Sequence, residues 1–189
     1  MSGSSNRRSR PYINMFKVSD ILTTPPPSYA SELQQKVYET LAALGIPFER
    51  VDTDPGLTME DCQHIDAKIG VRIVKTIFLC NRQQTEFYLY VTTDDKPFVT
   101  RDFCSALGIP RVSFASAEKL WELTGVEVGA TTILSAILPQ AEGVHLVMDR
   151  RVAEAPFYAC TDGTATCFLK LRTSDLLERF LAGKKVVLI

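Results

Sequence analysis

The strongest structural signal in this sequence is the stretch Ile69-Gly70-Val71-Arg72-Ile73-Val74-Lys75-Thr76-Ile77-Phe78-Leu79-Cys80. Its length and its many apolar and β-branched residues predict a buried strand over residues 71–80. Lys75 lies in the middle of this run, where its ammonium group must reach water, an anion or a partner. The run alone fits a lysine that extends to the edge of a sheet, and it also fits a functional lysine in a cleft.

The composition is that of one globular domain. The chain has 189 residues, of which 46% are hydrophobic and 23% are charged, and its net charge is −1. This balance excludes a protein that coats a long nucleic acid through a global basic field, although it allows contact with a nucleic-acid end or a small molecule. No run approaches the length of a membrane span, and the N-terminus lacks the apolar core of a secretion signal. We therefore expect a cytoplasmic protein with no membrane partner.

The cysteines, histidines and paired carboxylates suggest no metal centre. The two histidines are His64 and His145, and the five cysteines form no CxxC motif, so a zinc site has too few ligands. The cysteines are expected to be reduced thiols. Asp94-Asp95 stands beside Lys96-Pro97 and fits a solvated turn better than a pair of catalytic carboxylates. A GxGxxG motif and a Walker loop are both absent from the sequence, and no cofactor is expected.

The N-terminal residues differ in composition from the rest of the chain. Residues 1–14 are polar and rich in Ser and Arg, which predicts a poorly ordered leader. The run Thr23-Thr24-Pro25-Pro26-Pro27 predicts an extended linker, because proline fixes φ and removes a hydrogen-bond donor. We therefore divide the chain into a leader and linker over residues 1–27 and a globular domain over residues 28–189.

The pattern of the globular part predicts an α+β fold. Leu33, Val37, Leu41 and Leu44 recur at helical spacing, and Gly45 then ends the helix. Other predicted helices follow Thr58, Thr100, Ser116 and the run 173–175. Predicted strands cover residues 46–51, 71–80, 86–92, 110–114, 131–138, 144–149, 156–160, 166–171 and 185–189. Strands in the middle of the chain with a helix at each end favour α+β over a regular βαβ wrap.

Two loops contain residue types that occur in binding sites. Gly125–Thr132 has two glycines four positions apart, and glycine lets a ligand approach backbone N–H groups. Tyr158–Thr166 is a small, hydroxyl-rich turn that can hydrogen-bond a ribose or an amino group. Both loops also fit plain turns without a ligand, in which the side chains hydrogen-bond to the backbone of the same turn. Cys160, in the second loop, is a candidate nucleophile, but no histidine is evident beside it, which favours a packed and unreactive thiol.

Several motifs follow one another in a recognisable order between residues 31 and 181. The first half contains K-x-[IL]-F-L from Lys75, F-Y-L-x-V at 87–91, a helix ending in L-G-[IV] at 107–109 and the run 111–120. The second half contains G-V-E-x-G-A-x-[ST] at 125–132, a strand ending at 147–149, a T-A-T turn at 164–166 and D-L-L-x-x-F-L at 175–181. This order resembles the YbaK/ProX-like aminoacyl-tRNA deacylases, which are related to the editing domain inserted in bacterial prolyl-tRNA synthetase.

The resemblance implies a mixed, strongly bent, barrel-like sheet wrapped by helices. It also implies a freestanding hydrolase that removes a small, wrong amino acid from tRNA, typically tRNA for proline, without a metal or a covalent nucleophile. Its partners would be the acceptor end of the mischarged tRNA and prolyl-tRNA synthetase. Lys75 would be the catalytic residue. Substrate binding would fall to residues of the two loops, namely Gly125, Gly129, Ala130, Thr131, Thr132, Gly163, Thr164 and Thr166.

The sequence departs from the family pattern around this implied pocket. Ile133-Leu134 stands where many members have Pro-Phe, Ala159-Cys160 stands where many have His-Pro, and Gly163 replaces an Asn. The T-A-T motif is retained. These departures leave two alternatives open: a non-catalytic member that binds tRNA, a synthetase or an aminoacyl-like small molecule, and a thiol enzyme that uses Cys160.

Overall fold

The structure is a computed structural model that describes residues 15–55 and 58–189. Strands in these residues form two sheets. The strands are β1 (Glu49–Asp52), β2 (Lys75–Asn81), β3 (Phe87–Thr92), β4 (Val112–Phe114), β5 (Val144–Met148), β6 (Phe157–Thr161), β7 (Cys167–Arg172) and β8 (Val186–Leu188). The smaller sheet is antiparallel, in the order β1-β7-β6, and the larger is mixed, in the order β4-β2-β3-β5-β8.

Helices pack around these sheets. The α-helices are α1 (Glu32–Leu44), α2 (Met59–Ile69), α3 (Thr100–Leu107), α4 (Ala117–Thr124) and α5 (Arg150–Glu154), with 3₁₀ turns at Ile133–Ile137 and Pro139–Ala141 and a π-helical segment at Asp175–Phe180. Side-chain hydroxyls of Ser31, Thr58 and Ser116 cap the first turns of α1, α2 and α4. The predicted α+β class and mixed sheet are confirmed. Within the described residues, no helix is both long and apolar enough to cross a membrane.

Apolar side chains fill both faces of the five-stranded sheet. Alternation along β2 places Phe78 in the main core, which joins α1, both sheets and the 3₁₀ turns. The same alternation places Ile77 and Leu79 on the opposite face, in a second cluster with Phe103 of α3. The face that α3 covers is called the α3 face below. Lys75 shares the alternation of Ile77 and Leu79, and therefore belongs to the α3 face.

The segment before residue 28 lies along the small sheet. Val18 and Leu22 form bridges with Thr53 and Arg50, and the N–H groups of Leu22 and Arg50 each donate to the other residue's carbonyl at 2.8 Å. The Arg50 guanidinium is buried and donates to the Thr24 carbonyl at 2.6 Å. The described part of this segment therefore has backbone partners in β1. The predicted leader over residues 1–14 lies outside the described residues, and the boundary at residue 28 stays a prediction.

Three predictions of local structure are wrong. The expected strand over residues 131–138 is instead the 3₁₀ turn Ile133–Ile137, because the Thr132 hydroxyl accepts a hydrogen bond from the Leu134 N–H and starts a helical turn. The last helix, expected to follow the run 173–175 and to be capped by it, begins within this run, at Asp175, and the Ser174 side chain makes no capping bond. The strand expected over residues 71–80 begins only at Lys75, so the lysine is at the end of a strand and not in its middle.

Candidate active site

Backbone hydrogen bonds fix the position at which β2 begins. The Asp66 carboxylate accepts from the Ile73 N–H at 2.9 Å, just after α2 ends. The Val74 N–H then donates to the carbonyl of Ala159 in β6, also at 2.9 Å, and this bond joins the two sheets. Lys75 follows at once as the first residue of β2. Its aliphatic stem therefore leaves the sheet at its end, close to the seam between the sheets, where the ammonium can reach solvent.

The Lys75 ammonium contacts only a neutral group within the described residues. Its Nζ donates to the Lys96 carbonyl at 2.8 Å. Across the sheet, Lys75 pairs with Thr92, which is buried and contacts the Asp149 carboxylate at 3.4 Å. The side chain is half-buried. Lys75 thus provides a positive charge at the rim of the α3 face.

The other cations around this rim are neutralised by carboxylates. Lys96 Nζ pairs with Asp149, Arg72 with Asp94 at 3.1 Å and Arg151 with Asp95 at 3.3 Å. Among the described residues, no carboxylate lies within ion-pair distance of Lys75. A bound anion would therefore find the Lys75 charge uncompensated, while the neighbouring positive charges are already balanced.

The Lys96–Asp149 pair fixes the loop that holds Lys75. Burial acts to raise the pKa of Asp149, but hydrogen bonds from the Lys96 ammonium and the Arg151 N–H outweigh it, so the pKa of Asp149 is lowered. The ion pair keeps the Asp149 carboxylate ionised and holds Lys96 in place. The backbone carbonyl of Lys96 then faces Lys75. The sequence suggested a solvated turn at residues 94–97 and gave no sign of this role, because Asp149 is 53 residues away in the chain.

Two small cavities are lined by residues that neighbour Lys75, although Lys75 itself lines neither. One of about 220 Å³ lies on the α3 face, and its lining includes Thr92, Lys96 and Phe98. The other, of about 250 Å³, is lined by residues 71–74 and by the charged side chains of Asp94, Asp95 and Arg151. Both are smaller than the roughly 300–1,000 Å³ typical of sites for drug-sized ligands. The space beside Lys75 therefore suits a small group.

The glycine loop after α4 has one open position. Gly125 is the αL residue that ends α4, and a Cβ there would lie 3.1 Å from Leu138 Cδ1, so its role is structural. Gly129 has φ +94° and is exposed, and a Cβ on it would meet no atom within 4 Å. The backbone at Gly129 is therefore open to solvent. Ala130 and Thr132 are buried, and Thr131 is half-buried between them.

The hydroxyl-rich turn is organised by a buried carboxylate. Asp162 is fully buried and accepts from Gln34 Nε2 at 2.8 Å, from the Tyr38 hydroxyl at 2.9 Å and from the Thr164 hydroxyl at 2.7 Å. Thr164 therefore uses its hydroxyl within the turn. Gly163 has φ +98°, and a Cβ on it would approach Leu33 Cδ2 to 2.7 Å, so close packing requires glycine here.

Thr166 and the buried thiol complete the predicted site. The Thr166 side chain is half-buried, and its carbonyl accepts from the Thr53 N–H at 2.8 Å. Cys160 lies between the sheets, 3.7 Å from the Thr132 hydroxyl, and burial raises the pKa of its thiol to about 12. Tyr158 next to it is also fully buried. A protonated, enclosed thiol cannot serve as a nucleophile near neutral pH.

The structure brings the two predicted loops together, but it turns Lys75 the other way. The contact between Thr132 and Cys160 joins the glycine loop to the hydroxyl-rich turn on the inner side of the five-stranded sheet. Lys75 is directed to the α3 face and to Lys96. Thr76, the next residue, faces the inner side, near Tyr158. Because Lys75 begins β2, and the preceding Val74 N–H bonds to Ala159, the lysine and the two loops lie at the same end of this strand, on opposite faces.

Residues 53–178, which are 126 of the 189 residues, match the aminoacyl-tRNA editing domain family. The chain belongs to this family. This membership confirms the predicted family and the predicted enzyme class, aminoacyl-tRNA deacylases. The match spans β2, the glycine loop and the hydroxyl-rich turn, so both faces of the candidate site lie inside the editing domain.

Similar proteins agree with this assignment. The prolyl-tRNA editing protein ProX of Acetoanaerobium sticklandii is 26% identical over 140 residues, which cover 73% of this chain and 85% of ProX. The crystal structure of a hypothetical protein has a TM-score of 0.63 and 26% identity, and the match covers 81% of this chain and 97% of the other. A candidate trans-editing enzyme for prolyl tRNA synthetase gives 0.62 and 18% identity, covering 84% and 97%, which supports the fold of this editing domain.

Proposed function

We propose that this editing-domain protein acts in trans on tRNA for proline and hydrolyses the ester that holds a small, wrongly attached amino acid. The observation that carries the proposal is the uncompensated charge of Lys75, which belongs to the matched domain and whose partners Thr92 and Lys96 line a small cavity. The name of the relative ProX, a prolyl-tRNA editing protein, supports proline tRNA as the substrate. Cavities of this size favour an alanine- or serine-sized acyl group over a large side chain.

The chemistry asks little of the protein beyond positioning and charge. An aminoacyl ester is already activated, so oriented hydrogen-bond donors and a cation can supply most of the rate enhancement. Lys75 stabilises the negative charge that develops on the ester carbonyl, or holds the adjoining phosphate. The exposed backbone at Gly129 and the side chain of Thr131 bind the ribose or acyl oxygens. Gly125, Ala130, Thr132, Gly163, Thr164 and Thr166 hold the glycine loop and the hydroxyl-rich turn in the shape that presents Gly129 and Thr131.

The bond changes are those of ester hydrolysis. Water adds to the ester carbonyl carbon, assisted by the neighbouring ribose hydroxyl, and the bond between that carbon and the ribose oxygen breaks. The ribose oxygen takes one proton from the attacking water, the other proton passes to the solvent, and the amino acid leaves as a carboxylate. The partners of this reaction are the acceptor end of the mischarged tRNA and the prolyl-tRNA synthetase that produces it, and its place is the cytoplasm.

A panel of mischarged tRNAs tests the proposal. Tritium-labelled alanine, serine, cysteine and proline are each attached to tRNA for proline, and release of the amino acid is followed with excess protein. Release of alanine or serine well above the rate in buffer, with prolyl-tRNA spared, is the expected result. Hydrolysis of none of these substrates would contradict the proposal.

A second candidate is a non-catalytic member that binds tRNA. The observation in its favour is the orientation of Lys75, which faces the Lys96 carbonyl and not the glycine loop. Filter binding with the same tRNAs distinguishes the two functions. Tight binding without release of any amino acid would favour this second function over the deacylase.

Replacement of the buried thiol is expected to leave activity intact. Cys160→Ser retains a small polar group next to Thr132, and the raised thiol pKa means that no thiolate is lost. Deacylation by Cys160→Ser should stay within about threefold of the parent, because a well-packed polar replacement changes the pocket little. Cys62→Ser, at a half-buried cysteine on α2, is the control. Loss of catalysis in Cys160→Ser alone, with an unchanged melting temperature, would restore the thiol mechanism.

A further inference from the structure

An aromatic side chain is exposed on the same face of the sheet as Lys75. Phe114 is the last residue of the edge strand β4 and keeps 66% of its surface exposed. It pairs with Leu79 of β2, so it shares the α3 face with Leu79 and Lys75. Leu79 lies four positions after Lys75 in β2, a span of about 13 Å along the strand. The ring of Phe114 therefore lies a short distance from the candidate catalytic lysine, on the same side.

A second ring connects Phe114 to the loop that holds Lys75. Phe98 lies 5.7 Å from Phe114 between ring centroids, at an interplanar angle of 75°. Phe98 is two residues after Lys96, whose carbonyl accepts the Lys75 hydrogen bond, and it lines the cavity of about 220 Å³. We call Phe98 and Phe114 the aromatic shelf. Phe98 anchors the shelf in the core, while Phe114 presents a ring to solvent.

The charges next to the aromatic shelf are positive on balance. In the described part of the chain, neither Lys75 nor Arg111, an exposed residue three positions before Phe114, has a carboxylate partner. The one carboxylate side chain that lines the cavity with Phe98 is Asp102, and Arg101 lies 3.6 Å from it. Large exposed apolar groups beside free cations are typical of surfaces that bind unpaired nucleotides, because bases stack on the rings while phosphates meet the cations.

Trp121 offers a contrast within the same chain. It is also a large exposed aromatic residue, with 58% of its surface accessible, but it lies on α4. Its helix carries Glu118 and Glu122, and the nearby Lys119 is paired with Glu122 at 2.7 Å. A phosphate backbone would be repelled there. Charge complementarity therefore selects the aromatic shelf, and not the surface around Trp121, as a surface for RNA.

We infer that the aromatic shelf stacks the unpaired bases that precede the aminoacylated nucleotide at the 3′ end of the tRNA. The inference rests on the proposed function, since it places the reacting ester beside Lys75. The terminal nucleotide lies at Lys75, and the bases before it lie on Phe98 and Phe114. Arg111 lies beyond these two rings, where it meets the phosphate backbone of the RNA. The aromatic shelf thereby recognises single-stranded RNA without reading its sequence closely, because every base presents a face that can stack.

Two RNA hairpins test this surface. One carries the acceptor stem with its unpaired 3′ extension, and the other has the same stem with a blunt end. Their affinities are measured by fluorescence anisotropy for the parent, Phe114→Ala, Phe114→Leu and Trp121→Ala. The parent should bind the extended hairpin more tightly than the blunt one. The ratio of these two affinities should be about tenfold smaller in both Phe114 variants, because stacking contributes about that much per base. Trp121→Ala should bind both hairpins like the parent.

The outcomes separate this inference from the proposed function. Full retention of the gain in Phe114→Ala, or its loss in Trp121→Ala, would overturn the aromatic shelf, while tRNA deacylation that depends on Lys75 would still stand. A parent protein that binds neither hairpin would overturn the shelf directly. In steady-state deacylation, Phe114→Ala should raise KM and leave kcat near the parental value. A fall in kcat with unchanged KM would contradict a binding role.

Discussion

Lys75→Met will lower the single-turnover rate of deacylation about 100-fold or more, while the protein stays folded. Loss of one preorganised charge or donor at a developing oxyanion typically costs about 10²–10³ in rate. Methionine keeps the unbranched stem and removes the ammonium. Because Lys75 bonds only to the Lys96 carbonyl in the described structure, the substitution breaks no ion pair that stabilises the fold. The rate is measured with excess enzyme on Ala-charged tRNA for proline, and folding is followed by thermal melting.

Lys36→Met is the matched control for this substitution. Lys36 is a surface lysine of α1 whose ammonium pairs with Glu32 at 2.8 Å, well outside the matched domain. A surface pair of this type contributes about 0–1 kcal/mol to stability, so neither folding nor deacylation should change. Equal losses of rate in Lys36→Met and Lys75→Met would show that net charge, and not the position of Lys75, governs activity. A fully active Lys75→Met enzyme would remove the lysine from the mechanism.

Gly163→Ala will destabilise the protein by about 3 kcal/mol. An L-residue at its positive φ costs roughly 1–2 kcal/mol, and overpacking a core adds about 1–3 kcal/mol. Here the added Cβ would lie 2.7 Å from Leu33 Cδ2, and Leu33 is itself buried in the main core. The free energy of unfolding is obtained from urea titration of each protein, with the slope compared between variants.

Gly129→Ala separates the two causes of this loss. Gly129 has nearly the same φ, +94° against +98°, but a Cβ there would meet no atom within 4 Å. It should therefore show only the backbone cost, about 1 kcal/mol. Equal stability losses in Gly129→Ala and Gly163→Ala would mean that Leu33 gives way without cost. Activity supplies a second comparison, since only Gly129→Ala places a methyl group in front of the N–H proposed to face the substrate.

Local signals in the sequence located most helix ends. A hydroxyl residue at a helix start and a glycine at its end act over one turn, so the starts at Thr58 and Ser116 and the end at Gly45 could be predicted without tertiary information. The strand prediction over residues 131–138 failed because a short apolar, β-branched stretch fits a strand and a buried helical turn equally well. Helix α5 was not predicted for a similar reason, because five residues are too few to show a helical periodicity of apolar residues.

The site was harder to predict than the fold because its contacts cross the chain. Asp162 was readable as a polar turn residue, but its partners Gln34 and Tyr38 are 128 and 124 positions away. No local pattern reveals that the Asp162 carboxylate accepts hydrogen bonds from these buried side chains. For Lys75, the alternation of Ile77 and Leu79 determines the face of the sheet, but only the folded chain shows that α3 and Lys96 lie there. The Lys75 assignment came from the family resemblance, and its catalytic role stays a prediction.

The rate at which the parent protein releases alanine from Ala-charged tRNA for proline tests the proposed deacylation most directly. With enzyme in excess at neutral pH, we predict release far faster than in buffer, and a return to nearly the buffer rate when Lys75→Met replaces the parent. Release at the buffer rate by a folded parent protein, for alanine and serine alike, would contradict the proposed deacylation.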